Sequence, residues 1–286
     1  MPARSSPTVK RRRLATELRR YREVAGLTIE ETADRLEWSS AKISRIENAR
    51  VSVLPRDVRY LLDTYGVTDS TARDLLQSLA RESRQKGWWQ QYGDAIPEWF
   101  EVYVGLEADA TTISMYQAEF VPGLLQTADY ARAVHRAYLI NVSDEEINKR
   151  VAVRLARQEQ LTAPDAPQLW AIVNEAVIRR AVGGASIMRA QLNRLVETSE
   201  RPNVTLQVLP FSVGAHAAMA SAFTMLSFPE PTDPDVIYIE YPTGTLYLEK
   251  TPEVQRYTLI LDHLRAAALH VDDSRALLAR AAAELT

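Results

Sequence analysis

Ala41, Ser44, Arg45 and Asn48 recur at i, i+3, i+4 and i+7, the spacing of one helical face. Ile43 and Ile46 fall on the opposite face, with Trp38 and Ser39 leading in. The first set is small, polar and cationic, and no acidic residue occurs between positions 38 and 46. Such side chains offer hydrogen bonds at short range, and no bulky apolar group holds them out of a groove. A short helix decorated this way suits the major groove of a duplex, which is about 12 Å wide. A helix pair that only packed on a surface would normally turn Glu and Lys pairs outward.

Five short helices are expected to position that face. The first covers about Arg11–Ala25, with Leu14, Leu18 and Tyr21 on one side, and stops at Gly26. The second opens at Thr28, with Glu31 three residues on, a capping box, and runs to Leu36. The third opens at Ser39 or Ser40 and ends near Asn48. The fourth, about Pro55–Tyr65, has proline in its first turn and Gly66 after it. The fifth covers about Ser70–Arg84. Ala33 is small enough for the third helix to cross the second closely.

The stretch LTIEETADRLEWSSAKISRIENAR, Leu27 to Arg50, resembles the Cro/C1-type (XRE-like) helix-turn-helix family over about residues 12–66. Thr28, Ala33, Leu36, Ser39, Ile43, Ser44, Ile46, Glu47 and Asn48 stand where that pattern wants them. The resemblance implies base-edge contacts by Ser40, Ala41 and Arg45, with Ser44 as a fourth. It implies phosphate contacts by Thr28, Lys42, Asn48 and Arg50, and a structural ion pair between Arg22 and Glu47. Arg45 is the strongest base reader, because arginine takes guanine O6 and N7 together. Three positions depart from the family. Glu37 replaces the usual turn glycine, Ile29 replaces a phosphate-touching glutamine, and Ala49 replaces the glycine that ends the third helix. Positive φ at a residue other than glycine costs about 1 kcal/mol, which the fold can carry.

Charge divides along the chain. Residues 1–86 hold 18 Lys+Arg and 12 Asp+Glu, a net of +6, and the remainder holds 16 against 25, a net of −9. A basic N-terminal domain on an acidic body is a polarity that nucleic acid exploits. The 286 residues suffice for two domains, and there is no cysteine, so disulfides and thiolate chemistry are excluded. No apolar run is long enough for a membrane span. We expect a disordered arm at 1–9, a helix-turn-helix domain at 10–86, a regulatory domain at 87–286, and a cytoplasmic location. The aromatic-rich stretch Trp88, Trp89, Tyr92, Trp99, Phe100, Tyr103 is expected to pack the two domains together.

Beyond it, helices and strands mingle, which implies an α+β domain with a mainly antiparallel sheet. VIYIEY and TLYLEK flank Pro-Thr-Gly, a hairpin signal. The segments YGDAIPEWFEVYVGLEADATTISMYQAEFVPGLLQTADYARA, VNEAVIRRAVGGASIMRAQLNRL and VTLQVLPFSVGAH resemble the second domain of WhiJ-like, antitoxin-like bacterial regulators. That resemblance implies a small partner protein encoded by a neighbouring gene. VPGLLQT reads as a structural turn in preference to a ligand loop, and Glu175 and Glu240 as hydrogen-bonded structural carboxylates in preference to ligand-orienting ones.

Enzyme signatures are missing. The four histidines, His135, His216, His263 and His270, stand in no metal-ligand spacing, and there is no GxSxG, P-loop or GxGxxG. His263 and His270, seven apart, read as neighbours on one helix face. The expectation is therefore a dimeric regulator of a double-stranded DNA operator, without enzymatic activity, cofactor or metal. Its second domain would bind a small protein or effector. The alternative is a DNA-tethered enzyme or small-molecule-sensing domain.

Overall fold

The computed structural model describes residues 7–139, 141–230 and 233–285. They form two compact units, Met1–Gln90 and Gln91–Thr286.

The first unit is helical: α1 (Pro7–Val24), α2 (Ile29–Leu36), α3 (Ser40–Glu47), α4 (Pro55–Thr64) and α5 (Ser70–Glu82). Leu14, Leu18, Ile43, Ile46, Val58, Leu61, Leu62 and Leu76 form one buried cluster, the first four of them on the faces that helical spacing turns inward. The expected disordered arm needs correction. α1 begins at Pro7, and Thr8 and Val9 are already buried, so residues 7–9 belong to the helix. Proline suits a first helical position, and Val9 extends the apolar stripe. The rest of the expected arm, residues 1–6, lies outside the described residues.

The second unit is α+β. Its elements are α6 (Glu98–Asp109), β1 (Thr112–Gln117), α7 (Ala128–Tyr138), α8 (Asp144–Gln158), β2 (Gln168–Asn174), α9 (Glu175–Arg179), α10 (Ala185–Thr198), β3 (Val204–Leu209), β4 (Phe223–Ser227), β5 (Val236–Tyr241), β6 (Gly244–Leu248), α11 (Thr251–Ala267) and α12 (Val271–Glu284). They build one sheet of order β3-β2-β1-β4-β5-β6. The β1–β4, β4–β5 and β5–β6 pairs are antiparallel, while β1–β2 and β2–β3 are parallel. The parallel half arises because helices carry the chain from β1 to β2 and from β2 to β3, returning it to the same end. Its strands are buried almost throughout, as parallel strands covered on both faces are.

The β3 edge of the sheet is occupied. Ser274 Oγ accepts from Val208 N at 2.9 Å, Leu269 N donates to Val208 O at 2.9 Å, and Gln207 Nε2 donates to Leu269 O at 2.9 Å. Phe100 stacks on Tyr103 at 5.3 Å, and Tyr103 lies 4.2 Å from Tyr238 of β5, so these aromatics belong to the core of the second unit. In the first unit Trp88 meets Trp89 edge-on at 6.0 Å. α11 ends before His270, which instead caps α12, so His263 and His270 do not share a helix face.

A charged pair is sealed inside the second unit. Arg157 donates from Nε and Nη2 to the two oxygens of Glu107 at 2.8 and 2.6 Å, and Gln160 Nε2 adds a third bond at 3.1 Å. Among the described residues, no helix is long and apolar enough to cross a membrane.

Candidate nucleic-acid interface

α2 and α3 are set by local chemistry. Thr28 Oγ1 accepts from Glu31 N at 3.1 Å, and Glu31 returns a carboxylate oxygen to Thr28 N at 2.8 Å. These bonds hold the Glu31 carboxyl below its ordinary pKa. α2 ends at Glu37, which adopts φ 57 and ψ 37, the left-handed region. Trp38 N then reaches back to Ala33 O at 2.8 Å, closing the helix end. Ser39 starts α3 by accepting from Lys42 N at 3.2 Å. Ala49 at φ 53 ends it, with Arg50 N bonded to Arg45 O at 2.9 Å. Both residues standing in for glycine thus take positive φ. Glu37→Gly is expected to raise the stability of the first unit by about 0.5–1 kcal/mol, the relief of left-handed strain less glycine's added chain entropy. The midpoint of urea unfolding measures this, and an unchanged or lower midpoint would mean that Glu37 is held there by contacts worth more than the strain.

The inner side of α3 is anchored by Ile43 and Ile46, at 0% and 2% exposure. Outward lie Ala41, Arg45, Asn48 and Arg50, all exposed, with Ser40 and Ser44 half-buried. Arg45 uses only Nε, bonded to Ala41 O at 3.3 Å, so the fork of its guanidinium projects from the helix. Thr28 accepts in its cap and is exposed, so its hydroxyl proton can still donate outward. Ile29 packs against the core cluster and offers no polar group where the helix-turn-helix pattern has glutamine.

Two of the expected phosphate ligands are engaged within the unit. Lys42 Nζ lies 3.0 Å from Asp57 Oδ2 and 3.3 Å above the Trp38 ring. Asn48 Nδ2 donates to Ser44 O at 2.7 Å and to Ser44 Oγ at 3.3 Å. A phosphate at Lys42 would compete with Asp57, a partner that sequence reasoning missed. The available signal was an acidic residue in the first turn of α4, right after Pro55 and Arg56.

Behind α3, Arg22 and Glu47 form a bidentate pair at 2.7 and 2.8 Å, and Arg22 Nη1 also donates to Leu27 O at 2.7 Å. The Glu47 hydrogen bonds raise the Arg22 pKa against the opposing cost of burial. α1, the start of α2 and the end of α3 are thereby locked to one another, which fixes the angle at which α3 is presented.

In the second unit the singled-out carboxylates serve the fold. Glu175 accepts from Phe211 N at 2.9 Å and pairs with Arg179 at 3.1 Å, and Glu240 accepts from Tyr238 Oη at 2.8 Å. Among the described residues, no group of three or more His, Asp or Glu is arranged to hold a metal ion.

Two family models match the chain. One, described as a helix-turn-helix domain, covers residues 13–76, and the other, a domain of unknown function (DUF5753), covers residues 100–280. No curated protein and no solved structure matches it.

Proposed function

Because the chain belongs to the DUF5753 family and carries a helix-turn-helix DNA-binding domain ahead of that domain, we propose that it is a sequence-specific transcriptional regulator. The observation that carries this reading is the outer face of α3. Ala41, Arg45 and Asn48 are exposed there, no acidic side chain occurs from position 38 to 46, and the Arg45 fork projects from the helix. Ser40, Ala41, Ser44 and Arg45 meet base edges in this reading, while Thr28, Lys42, Asn48 and Arg50 meet phosphates. One helix of this length reads few bases, so the protein acts as a homodimer on half-sites about 34 Å apart.

The second unit takes a small protein partner in the WhiJ-like, antitoxin-like manner, and its net acidity favours a partner with a basic surface. It is non-enzymatic in this reading, since the chain has no cysteine and no nucleophile or phosphate-cradle motif.

Arg45→Ala tests the DNA-reading face. Operator affinity should fall by about 1–3 kcal/mol and preference should relax at one base pair per half-site, with two chains per duplex retained. Affinity and sequence preference that both stay at the wild-type level would show that α3 does not read bases through this face.

A further inference from the structure

α7 and α8 pack against each other through Ala131, Ile147 and Val151. Beside that contact three basic side chains converge. Arg150 and Arg154 lie one turn apart on α8, each three residues past Ile147 and Val151, and His135 lies on α7 one turn past the Ala131 that packs on them. Their donors are largely unspent. His135 Nε2 and Arg150 Nε are buried without a hydrogen-bond partner. Arg150 gives Nη2 to Glu146 at 2.6 Å. Arg154, partly buried, makes one hydrogen bond, from Nη1 to the neutral Gln126 Oε1 at 2.6 Å, and no ion pair among the described residues. Its neighbour Arg157 differs, being fully matched by Glu107.

The segment Val121–Gln126 closes one side. A Cβ on Gly123 would lie 3.7 Å from Arg154 Nε and 3.7 Å from Arg157 Nη1. The segment is pinned there: Gln158 Nε2 donates to Gly123 O at 2.9 Å and to Gln126 O at 2.8 Å, and Gln126 Nε2 donates to Val121 O at 2.6 Å. Burial and the charge of Arg157 pull Arg154 down to about 10, opposed in part by the charges of Glu240 and Glu107. Burial, then Arg154 and Arg150, hold His135 neutral, down to about 3. Buried donors without acceptors are costly, and a ligand supplying acceptors would remove that cost.

We propose that the seam between α7 and α8 binds a small oxyanion, a carboxylate or phosphate group, clasped by the Arg154 guanidinium with Arg150 Nε and His135 Nε2 as further donors. A planar guanidinium with four N–H groups to spare matches such a group in a bidentate fashion. The site lies within the second unit and does not depend on how the first unit reads DNA.

The test uses the full chain, titrated with sodium phosphate and separately with sodium acetate, with sodium chloride holding the ionic strength constant. The melting temperature and the histidine ring NMR signals are followed, and His135→Gln assigns the His135 signal. One of the two anions should raise the melting temperature saturably and shift the His135 ring with the same midpoint, leaving His263 and His270 in place. The effective anion identifies the ligand group as phosphate or carboxylate. Arg154→Gln should weaken that binding roughly tenfold or more. If the variant does not fold, the wild-type ring shifts alone decide. The proposal is overturned if neither anion does more than chloride, or if a folded Arg154→Gln protein binds as the wild type does.

Discussion

Replacing Glu107 with alanine is expected to destabilise the second unit by about 3–5 kcal/mol, because it strands a buried guanidinium. Glu107 and Arg157 are 1% and 6% exposed, so water cannot take over the lost bonds. Arg157 is further enclosed by aromatic rings, its guanidinium carbon 5.0 Å from the Phe100 centroid and 5.3 Å from that of Tyr103. The loss measures a broken pair, not the worth of an intact one. Glu107→Leu combined with Arg157→Met should therefore recover most of the stability, as exchanging both members of a buried pair for apolar groups commonly does. Urea unfolding followed by circular dichroism decides the matter. A single-variant loss below about 1 kcal/mol would mean that water reaches Arg157 and that the pair is not sealed.

In the first unit, Glu47→Ala should cost about 3 kcal/mol, the lower end of the same range. Arg22 there keeps a second acceptor, Leu27 O at 2.7 Å, and Glu23 lies within 3.8 Å, so the stranded charge is less isolated. The pair joins α1 to the C-terminal end of α3, so the orientation of α3 should loosen as well. DNA affinity should consequently fall at temperatures where the unit remains folded, although Glu47 faces the interior. Operator binding and thermal unfolding are read on the same preparation. Unchanged binding together with an unchanged melting temperature would show that the α1–α3 lock is carried by apolar packing alone.

The first unit was legible because its signals are local. The Thr28–Glu31 capping box, Pro55 at a helix start and the Leu14–Leu18 spacing each speak within a few residues, and the helices fall where they put them, except that α1 starts at Pro7 and not near Arg11. Even the positive φ of Glu37 and Ala49 follows from a position in the motif. The second unit was legible as elements and not as an arrangement. Each strand is visible in its own apolar run, but no local pattern says that β1 takes β2 on one side and β4 on the other. Glu107 and Arg157 were missed for the same reason: each looks like ordinary helix charge until the other, 50 positions away, is brought beside it. A faint cue existed in Glu107 standing four residues after Tyr103, on the same helix face. His135 and Arg154 carried no cue, since an unspent donor is visible only when its surroundings are known.

The placement of β1 at the heart of the sheet also governs when the protein can be finished. The buried core of the five-helix unit is drawn from within the first ninety residues, whereas Thr112 of β1 must wait for Ser227 of β4. At about 5–20 residues per second of synthesis, that wait lasts on the order of ten seconds after the first unit is complete. A DNA-binding head thus exists on the ribosome while β1 still shows an unpaired apolar edge, the kind of edge that invites aggregation. A chain cut short between β1 and β4 leaves that edge open permanently, so a stop codon there yields a head with its helices formed and a body left to chaperones and proteases.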